Sequence, residues 1–152
     1  MSLDNLVGRG LEREATDRVE IGRFLAKMDR KLADSRSSAI SLDSRFDLAW
    51  EAVLQIGLTA LRANGLRTTS QAGHQALAIQ TLDKTIGVDK DRIRLLETFR
   101  KNRSAGLYDG NFEPSEAEVD SIIRTADALH ATLLSWLAAS HPELLPDRNV
   151  TG

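Results

Sequence analysis

The residues best suited to chemistry form a basic run near the end of a predicted helix. Arg100, Lys101 and Arg103 follow Phe99 within five positions. Leu96, Phe99 and Arg103 are spaced i, i+3 and i+7, so they share one face of that helix. A guanidinium keeps its charge inside a protein. We therefore expect Arg103 to meet a carboxylate, a backbone carbonyl or a ligand on this apolar face.

A tyrosine follows this basic run after a glycine-rich exit at Gly106. Tyr108 is the single tyrosine of the chain, and we expect it in a loop. A phenol with a pKa near 10 is a poor general base at pH 7. It can still hydrogen-bond a phosphate, or donate a proton if nearby cations lower its pKa. The candidate phosphate- or ligand-binding residues around this pair are Arg100, Lys101, Asn102, Ser104 and His74.

Each candidate also has a structural interpretation. Arg103 can form an ion pair at the end of its helix with Glu116 or Asp120 of the next helix, where the helix dipole favours a cation. Tyr108 can pack its ring against the bundle. Both interpretations remain open at the level of sequence.

The three histidines do not form a metal site by their spacing. His74 is expected at the exposed start of a helix near Arg62 and Arg67, His130 on an apolar stripe, and His141 before a proline. Since none of the three is spaced i, i+4 from another, we predict no metal ion. The phosphate-binding and nucleophile motifs of common enzymes are missing, so we also predict no cofactor.

Composition limits the class of protein. The chain has 152 residues, a formal net charge of −2 and no cysteine, which excludes disulfides and thiolate metal sites. No apolar run approaches the roughly 20 residues that span a bilayer, and the N-terminus is polar. We therefore expect a cytoplasmic protein without a membrane segment.

Charge is unevenly distributed along the sequence. Residues 89–103 contain six basic and three acidic residues, whereas 113–127 contain five acidic residues and one arginine. Two neighbouring helices with complementary faces would explain this pattern. A local phosphate-binding surface is the alternative explanation.

Apolar periodicity predicts an all-α, single-domain, up-and-down antiparallel bundle of about five helices. The predicted helices cover approximately residues 11–34, 44–63, 71–85, 89–106 and 115–139. The second is apolar on several faces and should be central; its Gly57 indicates close approach of a neighbour. Ser115 and Glu118 form a capping-box pattern. The domain is expected over 11–140, with a flexible N-terminus at 1–10 and a loosely ordered tail at 141–152.

Several segments resemble the HEPN superfamily of small helical bundles from prokaryotic toxin–antitoxin systems. The segments that carry this resemblance are Asp47–Ala52, Ala60–Arg67, Gly73–Gln75 and Arg100–Gly110. The family typically has an arginine followed after four to six residues by a histidine. Its active members are metal-independent ribonucleases whose motifs face each other across a dimer interface. The matching positions here are Arg103 and, after four intervening residues, Tyr108 in place of histidine.

The resemblance implies a homodimer and leaves three hypotheses. In the first, the bundle is a non-catalytic module that presents Arg100, Arg103 and Tyr108 to RNA, a nucleotide or a protein. Its protein partner would be a cognate antitoxin or a nucleotidyltransferase-type protein, in a toxin–antitoxin or stress-response system. In the second, the chain is a metal-independent endoribonuclease: Arg103 stabilises charge on the phosphate and Tyr108, with help from His74, handles the proton. The third is a purely structural partner protein.

Overall fold

The computed structural model describes residues 2–69 and 73–146, and it shows an all-α bundle with a small two-stranded sheet. Short 3-10 helices cover Asp4–Leu6 and Pro142–Leu144. The remaining elements are β1 (Leu11–Arg13), α1 (Arg18–Ser35), α2 (Leu42–Ala63), β2 (Leu66–Thr68), α3 (His74–Gln80), α4 (Leu82–Thr85), α5 (Lys90–Asp109) and α6 (Glu116–Ser140).

Helix α2 is the centre of the bundle, as its broad apolar surface predicts. Both α1 and α6 pack along it, and α3, α4 and α5 contact it from the remaining side. Because its neighbours surround it, α2 buries residues on all of its faces. Its fully buried side chains include Phe46, Trp50, Val53, Ile56 and Leu61.

Side-chain caps fix where the long helices begin. Asp17, Ser41, Asp89 and Ser115 each accept a hydrogen bond from a backbone N–H three residues later, which satisfies a donor that the helix itself leaves free. The predicted capping box is confirmed, since Glu118 reaches back to the backbone N–H of Ser115 at 3.1 Å.

The prediction that the first helix begins at Leu11 is wrong. Leu11–Arg13 instead forms β1, which pairs antiparallel with β2 at the C-terminal end of α2. Gly65 makes this pairing possible because its positive φ of 73° turns the chain back after α2. Leu11 and Leu66 then bury a second, smaller apolar cluster with Leu61 and Ala78.

The third predicted helix is two shorter helices. It breaks at Thr81, between α3 and α4, and the described part of it begins at His74. Its predicted start at Gln71 lies outside the described residues. The close approach expected at Gly57 is confirmed, because a Cβ placed there would lie 2.7 Å from the carbonyl oxygen of Ala78.

Helix α5 continues past the glycine at which we expected it to end. Gly106 lies inside the helix, and Gly110, with φ of 66°, ends it in the left-handed conformation. Tyr108 is therefore a helical residue, and its predicted place in a loop is wrong.

Both terminal segments make contacts where the structure describes them. Leu3, Leu6 and Val7, within the segment expected to be flexible, pack against the small apolar cluster. In the segment expected to be loosely ordered, Leu144 is buried. Met1 and 147–152 lie outside the described residues. Among the helices described, none combines the length and apolar character that crossing a bilayer requires.

Candidate functional site

Arg103 does meet a carboxylate, but on a different helix from the one expected. Its Nε lies 3.6 Å from Oδ1 of Asp47 on α2. The pairing predicted with Glu116 or Asp120 is wrong because α5 packs on α2, α3 and α4, whereas α6 packs mainly on α2. At 3.6 Å the two groups attract each other without forming a hydrogen bond.

A cavity of about 180 Å³ opens beside this ion pair, and we name it the Arg103 cavity. Arg103 and Asp47 lie at its rim with side chains 24% and 51% exposed, so solvent reaches both. Its lining residues come from α2, α5 and the segment that joins α5 to α6. They are Asp43, Phe46, Asp47, Arg103, Gly106, Leu107, Phe112 and Pro114.

Two members of an aromatic cluster, Phe46 and Phe112, line the Arg103 cavity. The buried ring of Phe46 meets Phe99 edge-on at 5.9 Å and Phe112 at 5.1 Å between ring centres. Such edge-to-face pairs add about 0.5–1.5 kcal/mol beyond the area they bury. Gly106 lets the connecting segment come close, since a Cβ there would lie 3.2 Å from the carbonyl oxygen of Phe112.

The polar side of the Arg103 cavity carries two carboxylates and only one guanidinium. Asp43 and Asp47 lie one turn apart on the same face of α2 and both line it. Burial raises the pKa of the Asp47 carboxyl; the attraction of Arg103 opposes this effect, and Glu51 and Asp43 add to it. The net result is a pKa above the usual range for an aspartate.

A buried donor in the Arg103 cavity is unsatisfied. Nε of Arg103 is inaccessible to solvent and has no hydrogen-bond partner among residues 2–69 and 73–146. A buried donor without a partner costs free energy, about 1–3 kcal/mol for an ordinary group. A small shift of Asp47, or a bound ligand that tightens the pair, would recover this free energy.

Tyr108 does not belong to the Arg103 cavity. It lies five positions along α5 from Arg103, which places it about 140° around the helix. Its side chain is 79% exposed, so the expectation that its ring packs against the bundle is wrong. Within one chain, the phenol is therefore directed away from the guanidinium.

The other residues of the basic run do not line the Arg103 cavity. Arg100 forms a two-nitrogen contact with Glu97, whose hydrogen bond raises the pKa of the guanidinium. Lys101 is exposed, whereas Asn102 and Ser104 are half-buried on α5. Arg103 is the member of this run that lines the cavity.

His74 lies at the other end of the bundle. It lines two different cavities with Thr69, beyond the C-terminal end of α2. Asp47 stands 16 residues before Ala63, the last residue of α2, which is about 24 Å of helix. The structure thus does not bring His74 to the Arg103 cavity of the same chain.

A second arginine, which the sequence places in a basic region beside His74, is the most enclosed charge among the residues that the structure describes. Arg62 is 6% exposed. Its Nε donates to Glu20 at 2.9 Å, and its terminal nitrogens donate to the carbonyl oxygens of Glu14, Ala15 and Leu66. Because all of these acceptors are protein groups, Arg62 ties the segment before α1 to β2 and has a structural role.

The other histidines have local partners. His130 lies 2.9 Å from Asp29, as expected for a histidine at the edge of the core. His141 lies 3.1 Å from Glu143 and contacts the ring of Trp136. No cluster of three metal-binding side chains occurs in the described parts of the chain.

Three residues of this site were not predicted from the sequence: Asp47, Phe46 and Phe112. One signal was present, because Asp43 and Asp47 are spaced i, i+4 at the start of the most apolar helix. No comparable signal marks Phe112, which precedes the last helix in an irregular segment. No family model matches the chain, and no curated protein or solved structure matches it either.

Proposed function

We propose that this chain is a non-catalytic binding module for single-stranded RNA or a nucleotide, built on a HEPN-like bundle. The observation that carries this proposal is the Arg103 cavity, where a partly exposed guanidinium stands beside aromatic side chains. Unpaired nucleotides are bound by this combination, since a guanidinium can hydrogen-bond to an unstacked base and aromatic side chains give the base apolar surroundings.

The loose ion pair supports a binding role for Arg103. At 3.6 Å from Asp47, with Nε unsatisfied, the guanidinium holds unused hydrogen-bonding capacity. Arg62 is an arginine with a structural role in the same protein, and protein acceptors surround its buried guanidinium. Arg103 differs because its side of the cavity is open to a ligand.

The groups that the HEPN pattern assigns to proton transfer, Tyr108 and a histidine, lie away from the Arg103 cavity, and this supports a role without catalysis of that type. Tyr108 lies on a different side of α5, and the three histidines of the sequence all lie elsewhere in the structure. A general acid or base must come within hydrogen-bond reach of the reacting atoms. Arg103 alone can hold a phosphate or a base but provides no proton transfer at neutral pH.

The resemblance to HEPN proteins extends this proposal to partners. Tyr108 is 79% exposed at the end of α5, on a different side of the helix from the Arg103 cavity, and we propose the surface around it as the homodimer contact. A cognate antitoxin or a nucleotidyltransferase-type protein is the proposed protein partner. A role in RNA binding would place the protein in the cytoplasm.

The test is fluorescence anisotropy with a labelled single-stranded RNA at low salt. Arg103→Ala should weaken binding about tenfold or more. Arg94→Ala is the matched control, because Arg94 lies on the same helix but is 76% exposed and paired with Asp91. The control should change affinity at most about threefold, as expected for one distant surface charge. Equal effects of both substitutions would contradict a role for the cavity.

A further inference from the structure

We infer that the Arg103 cavity receives a nucleobase, with guanine preferred, and that it does not receive a phosphate. This inference rests on the proposed function, and it names the chemical group that enters the cavity. Three properties of the site carry it: its charge, its pattern of donors and acceptors, and its volume with its apolar lining.

The charge of the cavity disfavours a phosphate. Two carboxylates, Asp43 and Asp47, line it together with one guanidinium. A phosphate that approached Arg103 would meet the Asp47 carboxylate 3.6 Å from Nε, and like charges so close repel each other. An uncharged ring with polar edges does not have this cost.

The donor and acceptor pattern matches guanine. Arg103 offers N–H donors, and Asp47 beside it offers two acceptor oxygens. Guanine has its O6 acceptor next to the N1–H and N2–H donors, so one edge can engage the guanidinium and both carboxylate oxygens. Uracil, by contrast, has a single N–H donor between two carbonyls, and adenine lacks the adjacent pair of ring and amino donors.

Guanine would also stabilise Asp47 in its charged form. Burial disfavours the charge of this carboxylate, and two N–H donors would compensate for the lost hydration. The same carboxylate remains close enough to attract Arg103. Binding would therefore satisfy groups that the free protein leaves under-bonded.

The volume and the apolar lining of the cavity suit a purine ring. Phe46, Phe112 and Pro114 provide apolar lining, and the volume is about 180 Å³. A cavity of about 150 Å³ in another protein holds benzene, so a purine is of suitable size whereas a whole nucleotide is too large. Ribose and phosphate would stay outside, beyond the exposed side chains of Asp47 and Leu107.

Titration with free nucleosides tests the inference without any phosphate. Guanosine, inosine, adenosine and uridine are added separately to ¹⁵N-labelled protein, and the amide signals of Gly106 and Phe112 are followed by NMR. We expect guanosine to bind about tenfold or more tightly than adenosine or uridine, because a bidentate contact to a base discriminates by roughly this factor. Inosine, which lacks the N2 amino group, should be intermediate, and inorganic phosphate should not compete.

Asp47→Asn is the decisive variant, because an amide cannot accept both donors of guanine. It should lower guanosine affinity about tenfold and remove the preference over adenosine. Asp91→Asn is the matched control, since Asp91 is an exposed residue of α5 paired with Arg94. This control should leave nucleoside binding unchanged.

The outcomes separate this inference from the proposed function. If single-stranded RNA binds through Arg103 but with equal affinity for all bases, or if Asp47→Asn leaves the preference intact, the inference is wrong and the binding module stands. Competition by inorganic phosphate has the same meaning. If neither RNA nor any nucleoside binds, both the inference and the proposed function are wrong.

Discussion

Two arginines on apolar helix faces have opposite surroundings in this protein. Arg62 donates to Glu20 and to three carbonyl oxygens, so its buried charge is compensated. Arg103 has one carboxylate at 3.6 Å and an unsatisfied Nε. Natural proteins bury a guanidinium only when acceptors surround it, and the departure from that rule at Arg103 is why we propose a ligand there.

Replacing each arginine by methionine should separate the structural charge from the functional one. Arg62→Met leaves Glu20 and the carbonyl oxygens without their donor, so we expect it to lower the free energy of unfolding by about 3–5 kcal/mol. Arg103→Met should change it by less than about 1 kcal/mol, because the pair it removes is loose and partly exposed. Urea denaturation measures both, and equal losses would contradict the distinction.

Glu20 should make stability fall in acid. Burial alone would raise the pKa of its carboxyl, but the hydrogen bonds from Thr16 and Arg62 outweigh burial and lower the pKa. A group with a lowered folded-state pKa stabilises fully above its unfolded pKa of about 4.3, and this contribution is lost as the pH falls through the folded value.

Urea midpoints between pH 6 and pH 3 test this linkage. Wild type should lose stability more steeply below about pH 4.3 than Glu20→Gln does, since the variant has no proton to take up at this position. If the urea midpoints of the two proteins fall in parallel with pH, the Glu20 carboxyl does not contribute to the loss of stability in acid.

At the scale of elements, the packing of α2 depends on the absence of one side chain. Gly57 faces the backbone of α3, where an added Cβ would meet the carbonyl oxygen of Ala78 at 2.7 Å. Gly22 on α1 is also a helical glycine, but the nearest atom to its added Cβ is a Pro146 carbon at 3.8 Å, an ordinary contact. The two glycines therefore differ in packing and not in helical conformation.

Alanine substitutions at these two glycines should change the stability of the protein in opposite directions. Gly22→Ala should stabilise the protein by roughly 0.5–1 kcal/mol through helix propensity. Gly57→Ala gains the same propensity but must push α3 away, and overpacking of this kind costs about 1–3 kcal/mol. We expect a lower melting temperature for Gly57→Ala and a higher one for Gly22→Ala; a stabilised Gly57→Ala would contradict the described contact between α2 and α3.

Elements set by local signals could be predicted from sequence, and elements set by distant partners could not. The caps at Asp89 and Ser115 and the central place of α2 follow from residues within a few positions. Strand β1 depends on β2, which lies 55 residues further along the chain at the Glu12–Arg67 pair, so its short sequence carried no sufficient signal. The predicted end of α5 at Gly106 was too early, because an interior glycine weakens a helix by only about 1 kcal/mol and does not have to end it.

At the scale of the whole molecule, the site was only half predictable. The apolar spacing of Leu96, Phe99 and Arg103 indicated that Arg103 needs a partner, which the structure supplies. The same spacing did not identify Asp47 as the partner, because helical periodicity carries no information on which helix α5 packs against. The orientation of Tyr108 depended in turn on how far α5 extends.

The proposed dimer gives a prediction for the intact protein. Two chains of 16.7 kDa should sediment together, with the exposed end of α5 in the contact. Tyr108→Glu places a charge there and should shift the protein toward the monomer in sedimentation velocity, while its melting temperature stays within a few degrees of wild type. A wild-type monomer at high concentration would contradict the dimer without affecting the cavity.

The most direct test of the account is an NMR titration with single-stranded RNA in excess EDTA, followed by analysis of the same RNA after a day. We expect RNA to shift the amide signals of Gly106 and Phe112, Arg103→Ala to abolish these shifts, and the RNA to stay intact. Shifts confined to the His74 end of the bundle, or RNA cut by wild type and spared by Arg103→Ala, would contradict it; the second result would make the protein a metal-independent ribonuclease.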